Sequence, residues 1–154
     1  MRLRPGRNKA MDLKECVKFA GENPVCFVGT IDGDQPRVRA MLMDHADETG
    51  FYFTVMAGKQ VAEQMRANPK IEVCWYNNPA ELAHCKQLRI CGTAEFLTDQ
   101  KSRDRSVGNR KFLDGVTGRS ISQLATPIRI AHGDAHFWVL TDPCAEAEIE
   151  HFKF

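Results

Sequence analysis

Short runs with the two-residue periodicity of β-strands dominate the sequence. The apolar run "VCFVGTI" ends at Asp32-Gly33, and the alternating segment "PRVRAMLMD" follows, which is the pattern of a β-hairpin. Three further segments, "GFYFTV", "KIEVCWY" and "QLRICGTAEFL", also have the composition of strands. A series of mostly antiparallel strands with few helices favours a small barrel, because closure leaves no exposed strand edges.

The last strand segment, "TPIRIAHGDAHFWVLTD", predicts a closing hairpin around Gly133-Asp134, or else one bulged strand. With it, the sequence contains six or seven strands. Helices are expected over residues 12–22, where Asp12 and Glu15 form a capping box, and over 59–68, which Pro69 terminates. A third helix is expected to start after Thr98, in an Arg-rich segment that extends to residue 125.

Length and composition limit the classes of protein that this chain can be. Its 154 residues, 43% of them hydrophobic, can bury one core, so a single domain over residues 1–154 is expected. A net charge of +1 gives no overall field that would attract nucleic acid or a membrane. The basic residues 1–10 precede no apolar run, so we expect a flexible arm rather than a signal peptide, and a cytoplasmic location.

The six cysteines form no CxxC pair, and we expect reduced thiols. Cys26, Cys74 and Cys91 are predicted to pack as small hydrophobic residues within strands, and Cys144 is the thiol to test for reactivity. His84, Cys85 and Cys91 do not have a zinc-site spacing, so no metal site is predicted.

The segment "TVMAGKQVAEQMRANP" places Lys59 at the start of a short helix. Unpaired N–H groups at a helix N-terminus attract anions, and the lysine adds a full positive charge, which suggests a phosphate site. Arg37 and Arg39 share one face of the preceding strand near Thr54 and could complete a phosphate clamp. From these residues alone, the alternative is that the arginines are solvated charges outside the barrel and that Lys59 is part of an ordinary helix cap.

Three segments taken in order, "GTIDGDQPRVRAML", "GFYFTVMAGKQVAEQMRANPKIEVCWY" and "QLRICGTAEFL", resemble the pyridoxamine 5′-phosphate oxidase-like family of FMN-binding proteins. The resemblance implies a mainly β fold, an antiparallel split β-barrel with a few helices. It also implies a homodimer with two FMN molecules in clefts between the subunits.

The resemblance further implies which residues bind the flavin. Arg39 and the neighbouring backbone of Ala40, Met41 and Leu42 would lie beside it. Thr54 and Lys59 would contact the phosphate, although a difference in turn length leaves Gln60 as the alternative to Lys59. Gln87 corresponds to a hydrogen-bond donor to the ring, Trp138 to an aromatic at its edge, and Arg37 is a weaker candidate.

An Arg-x-His element that grips the substrate in the vitamin-forming oxidases is not found in "EAEIEHFKF", so oxidation of pyridoxamine phosphate is not expected. The resemblance instead implies an FMN-dependent oxidoreductase that passes hydride or electrons from a nicotinamide donor to a small-molecule acceptor. The alternatives are a non-catalytic barrel that holds flavin or haem, a deazaflavin enzyme, and a small barrel that binds nucleic acid. The aromatic residues needed for base stacking are not interleaved with the arginines, which disfavours nucleic acid.

Overall fold

The computed structural model describes residues 12–140 and 146–154. The basic arm predicted for residues 1–10 and the thiol of Cys144 lie outside the described residues, so both stay predictions. Within the described ranges, no helix has the length and apolar content needed to cross a membrane.

The described residues form a mainly β fold, as predicted. Nine strands are present in this part of the chain: β1 (Val25–Asp32), β2 (Gln35–Asp47), β3 (Gly50–Met56), β4 (Lys70–Tyr76), β5 (Lys86–Thr93), β6 (Glu95–Phe96), β7 (Ala125–Ile130), β8 (Gly133–Val139) and β9 (His151–Lys153). The helices are α1 (Leu13–Glu22), α2 (Gln60–Ala67), α3 (Gln100–Arg110), α4 (Asp114–Thr117) and α5 (Ile121–Leu124). Single turns of 3₁₀ helix span Leu82–His84, Lys111–Leu113 and Glu146–Glu148.

All strand pairs are antiparallel, in the order β6-β7-β3-β2-β1-β4-β5-β8-β9. Only Ala94 separates β5 from β6, and only residues 131–132 separate β7 from β8. At one edge of the sheet, β6 continues the chain of β5, and β7 leads into β8, while β5 and β8 themselves lie near the other edge. The sheet therefore curls into a split barrel.

The predicted count of six to seven strands is wrong, because two long strands are interrupted and the final residues add β9. The predicted closing hairpin at Gly133 is also wrong, since β7 pairs with β3 and β6 while β8 pairs with β5 and β9. The alternative of one bulged strand is correct. Gly92 pairs with Gly133 and Glu95 pairs with Arg129, so an advance of three residues on one side matches four residues on the other.

The capping interaction predicted at the start of the first helix is present. The Asp12 carboxylate accepts a hydrogen bond from the Glu15 amide at 2.9 Å and caps α1. The apolar side of this helix packs on the core through Cys16 and Ala20, which are fully buried. The hydrophobic core contains large, fully buried side chains from the strands and from α2: Trp75, Phe51, Phe53, Met65, Leu88, Ile90, Ile128 and Ile130.

Gly50 lies where the backbone of β3 closely approaches the end of β7. Its φ is +134°, and a Cβ there would lie 2.3 Å from the carbonyl oxygen of Ile130. We expect Gly50→Ala to lower the free energy of unfolding by about 2 kcal/mol or more, because both the conformation and the overlap oppose a side chain.

The matched control is Gly21→Ala in α1, where a Cβ would meet nothing within 4 Å. This change should raise the free energy of unfolding by up to about 1 kcal/mol, since alanine is the better helix former. Urea denaturation measures both variants. Equal stabilities would contradict the close approach at Gly50.

Candidate functional site

A cavity of about 460 Å³ opens where β2, β3 and the start of α2 meet the end of α3. This volume lies within the range of about 300–1,000 Å³ that is usual for small-molecule sites. Twelve residues from these elements line it: Arg39, Ala40, Met41, Leu42, Thr54, Val55, Met56, Lys59, Gln60, Val61, Arg110 and Leu113. The wall therefore combines positive charge with apolar side chains.

Lys59 is the N-cap residue of α2, with its backbone extended and no side-chain cap. Its ammonium group has no hydrogen-bond or ion-pair partner within residues 12–140 and 146–154. The backbone N–H groups of Gln60 and Val61 begin the helix, where no earlier helical carbonyl can accept their hydrogen bonds. The start of α2 therefore offers a positive charge and free N–H donors on the cavity wall.

Arg39 belongs to a buried hydrogen-bond network that joins β1, β2 and α2. Its Nη1 donates to the Thr30 hydroxyl at 2.7 Å and to the Val28 carbonyl at 3.2 Å, while Nη2 donates to Gln64 Oε1 at 2.7 Å. Thr30 also donates to Gln64 Oε1 at 2.7 Å, and both residues are buried. Partial burial, and then the nearby Arg37, lowers the pKa of Arg39.

A second polar network lies behind the cavity and depends on a β-bulge at Asp44. Met43 faces Phe53 and His45 faces Tyr52, so Asp44 is the extra residue on β2. The bulge turns its carboxylate inward, where it accepts from the Thr54 hydroxyl at 2.6 Å and pairs with Arg110.

Arg110 reaches this network from α3. Its Nη2 lies 2.5 Å from Asp44 Oδ1 and 2.9 Å from the Leu42 carbonyl oxygen, to which it donates. Ser106, also on α3, shares a hydrogen bond with Thr54. The hydroxyl of Thr54 is thus occupied by protein groups, and Arg110 is the second cation on the cavity wall.

Imidazole and carboxylate groups in this region have shifted pKa values. Burial raises the pKa of Asp44, against the hydrogen bond from Thr54 and the charge of Arg110. His45 stacks on Tyr52 with ring centroids 4.2 Å apart. Burial, and then the charge of Arg105, lowers the pKa of His45.

Seven of the nine residues predicted to bind the cofactor meet at this one cavity: Arg39, Ala40, Met41, Leu42, Thr54, Lys59 and Gln60. Gln87 and Trp138 do not line it. They face each other across β5 and β8, which β1 and β4 separate from β2 in the sheet. Arg37, the weaker candidate, instead pairs with Asp32 across the β1–β2 turn at 3.2 Å.

The cavity also contains residues that the sequence analysis did not single out. Val55, Met56 and Val61 follow predicted residues on β3 and α2, so proximity to Thr54 and Lys59 was their only signal. Arg110 and Leu113 come from the Arg-rich segment, whose helix was expected but whose contacts were not.

The described thiols are all free, as expected for reduced cysteines. Cys26 is buried, and burial raises its pKa to about 12. Cys91 is exposed, so the prediction that it packs as a small hydrophobic residue is wrong. Leu88 and Ile90 of β5 point into the core, which leaves Cys91 on the outer face. The thiol is still partly desolvated, and this partial burial together with Glu72 raises its pKa to about 11, which keeps it a thiol rather than a thiolate.

Comparison with known sequences finds similarity over most of the chain. A family model described as pyridoxamine 5′-phosphate oxidase matches residues 13–140. A pyridoxine/pyridoxamine 5′-phosphate oxidase of Aliivibrio fischeri is 36% identical over 88 residues, which cover 56% of this chain and 40% of that protein. The match thus spans well under half the length of this relative.

Solved structures share the fold. A NimC/NimA family protein of Clostridium acetobutylicum superposes with a TM-score of 0.71 at 19% identity, covering 94% of this chain and 95% of that one. An FAD-binding protein of Mesorhizobium loti gives 0.61 at 25% identity, covering 79% and 91%. The haem storage protein of Vibrio cholerae gives 0.60 at 16% identity, covering 82% and 93%.

The buried Asp44 predicts a pH dependence of stability. A carboxyl group whose pKa is raised by folding stabilises the fold most in acid, and this contribution is lost as the pH rises through the folded pKa. We therefore expect the stability of the native protein, relative to Asp44→Asn, to fall over the pH range that begins near the ordinary aspartate pKa of about 3.9 and extends upward. Urea denaturation across this range measures the difference. A relative rise would mean that attraction to Arg110 outweighs the cost of burial.

Proposed function

The chain belongs to the pyridoxamine 5′-phosphate oxidase family, and from this premise we propose that it is an FMN-binding oxidoreductase whose cofactor occupies the cavity around Lys59. The reaction we propose passes hydride or electrons from a nicotinamide donor to a small-molecule acceptor. The observation that carries the proposal is a lysine without a partner among the described residues, next to a helix N-terminus, on the wall of a cavity large enough for a small ligand.

The residues of the cavity fit the parts of a flavin mononucleotide. Lys59 and the first N–H groups of α2 would hold the dianionic phosphate, with Gln60 as a neighbouring polar contact. Apolar groups of Leu42, Val61 and Leu113 line the rest of the cavity and suit an aromatic ring system. Arg39 keeps its Nε–H and one Nη2–H available, because its other three N–H groups bond to protein.

The bound flavin would supply the redox chemistry, as cofactors of this class do. The protein needs only to bind and orient it and to limit the access of water. In this chain, Lys59 would fix the phosphate, and the backbone of residues 40–42 would face the ring. The Asp44–Arg110 pair would hold that backbone in place through the Leu42 carbonyl.

A haem-binding barrel is the second candidate, since a haem storage protein shares the fold. Haem iron is commonly held by histidine or cysteine. Among the described residues that line the cavity there is no histidine and no cysteine, and this favours a flavin. A deazaflavin with a phosphate tail would use the same contacts, so a titration that compares FMN, deazaflavin and haemin is needed to choose between them.

We also propose a homodimer, because the β1–β2 hairpin exposes an apolar face. Val25, Phe27, Val38 and Leu42 are between 44% and 74% exposed, while Cys26 and Val28 between them are buried. Val25 faces Leu42 across the two strands, so these side chains form one surface. A contiguous apolar surface on a β-sheet is typical of an interface, and Leu42 also borders the cavity.

A dimer would also explain the position of Gln87 and Trp138. Both side chains lie on the outer face of the β5–β8 pair, opposite the buried Leu88. Neither residue lines the cavity of its own chain. We propose that they complete the cavity of the partner subunit, as the family resemblance implies for a cleft between subunits.

The phosphate contact is tested by comparing two flavins that differ only in the phosphate. We expect Lys59→Ala to weaken FMN binding by about tenfold or more, because a charged hydrogen bond contributes about 1.5–3 kcal/mol. Riboflavin binding should change little. Fluorescence titration measures the affinity for each flavin. Lys14→Ala is the control, because Lys14 is an exposed residue of α1 that does not line the cavity. An equal loss for both flavins would place the lysine elsewhere.

The dimer surface is tested by introducing a charge. Val38→Asp places a carboxylate on the exposed face, at its most exposed apolar residue, so we expect monomers by sedimentation and a weaker affinity for FMN. Leu82→Asp is the matched control, since Leu82 is 69% exposed on a separate 3₁₀ turn and should leave both properties unchanged. A native protein that sediments as a monomer would contradict the proposed interface.

A further inference from the structure

Two histidines and an aspartate converge on the outer face of β8 and β9, away from the cavity. Asp134 and His136 are two residues apart on β8, so their side chains point to the same side of the sheet. His151 on β9 lies directly opposite His136. One ligand atom from each of these three residues lies within 4.8 Å of the other two.

We infer that Asp134, His136 and His151 form a binding site for a divalent first-row transition-metal ion. Two imidazoles and one carboxylate are a ligand set that suits Zn²⁺ and Fe²⁺. Three protein ligands leave at least one coordination position for water. None of the three residues lines the cavity of the same chain, so the inference does not require the proposed contacts of Lys59 with a flavin.

In this structure, a hydrogen bond links two of the three side chains at the place where we infer that a metal ion binds. His151 Nδ1 and Asp134 Oδ1 are hydrogen bonded, and the rings of His136 and His151 stack with centroids 4.5 Å apart. Two ligands of one tetrahedral zinc ion lie about 3.3 Å apart, for bonds of about 2.0–2.1 Å. Small side-chain rotations would therefore bring the three ligand atoms around one ion, which replaces the shared proton.

The surroundings also favour a cation. The acidic Glu72 lies near this face and contacts Cys91, which pairs with Asp134.

Two cations oppose this attraction. Arg89 faces His136 from β5, but its charge is partly balanced by Glu146 at 3.8 Å. Lys153 lies opposite Asp134 on β9 and is exposed. Since both are long, flexible side chains at the surface, they can turn into solvent when an ion binds.

The strand that carries His151 is held by the fold. Backbone hydrogen bonds join Gly133 and Phe154 in both directions, at 3.2 and 3.1 Å, and the Phe154 ring packs on Phe51 in the core at 5.6 Å. The ligands are thus on two fixed strands, so an ion that bridges them should further protect β9 from local opening.

Zinc titration of the full chain without added flavin tests the inference. We expect one Zn²⁺ per chain by isothermal titration calorimetry, a zinc-dependent rise in Tm, and slower amide exchange in β9. His136→Ala and His151→Ala should each lose at least tenfold in affinity, while His84→Ala, at an exposed histidine outside the cluster, should not.

A second measurement uses Co²⁺ and the native chain, so its result does not depend on whether the variants fold. The native chain loaded with Co²⁺ should show visible absorption bands of a nitrogen- and oxygen-ligated site, and Zn²⁺ should displace them. The inference is overturned if the native chain binds neither ion, or if folded His136→Ala and His151→Ala bind zinc as tightly as the native protein. Because no flavin is present, this result is independent of the FMN proposal.

Discussion

The hydrogen bonds of Arg39 hold together the part of the fold that contains the candidate site. This guanidinium joins Thr30 on β1 to Gln64 on α2, and both partners are buried. Without it, Thr30 and Gln64 would keep only their hydrogen bond to each other, and each would lose a charged hydrogen bond of a kind that contributes about 1.5–3 kcal/mol. Because Gln64 lies about one helical turn after Gln60, the network also sets the direction in which the first turn of α2 points.

A second constraint acts from the opposite wall. The bulge at Asp44 turns a carboxylate inward, and Arg110 of α3 pairs with it and also binds the Leu42 carbonyl. The backbone of residues 40–42 is thereby held between two polar networks. Lys59 is different, since its ammonium has no partner within the described ranges. A rigid frame around one uncommitted cation is the arrangement expected of a preformed anion site.

The sequence predicted local features well and interruptions poorly. The Asp12 cap, the turn at Asp32-Gly33 and the limits of α2 depend on nearby residues, so their signals are readable along the chain. The breaks at Ala94 and at residues 131–132 depend on how two distant strands fit around a barrel corner, which no local pattern records. The last hairpin was wrong for this reason, and so was the strand count, to which β9 also contributes.

The residues of the candidate sites also fall into those that the sequence indicated and those that it did not. Arg39, Thr54 and Lys59 were found through strand alternation, a helix start and family resemblance. Arg110 was missed because its helix carries several similar arginines, and only the bulge at Asp44 selects one of them. His151 was missed because its pairing with His136 requires β9, a strand of three residues with no periodicity of its own.

A crystal structure of the protein grown with FMN tests the central claim most directly. The account predicts flavin density in the cavity between β2 and α2, with the phosphate against Lys59 and the first N–H groups of α2. It also predicts Gln87 and Trp138 of a second chain at the ring. A phosphate bound elsewhere, or a cavity that stays without flavin while the dimer forms, would contradict the account.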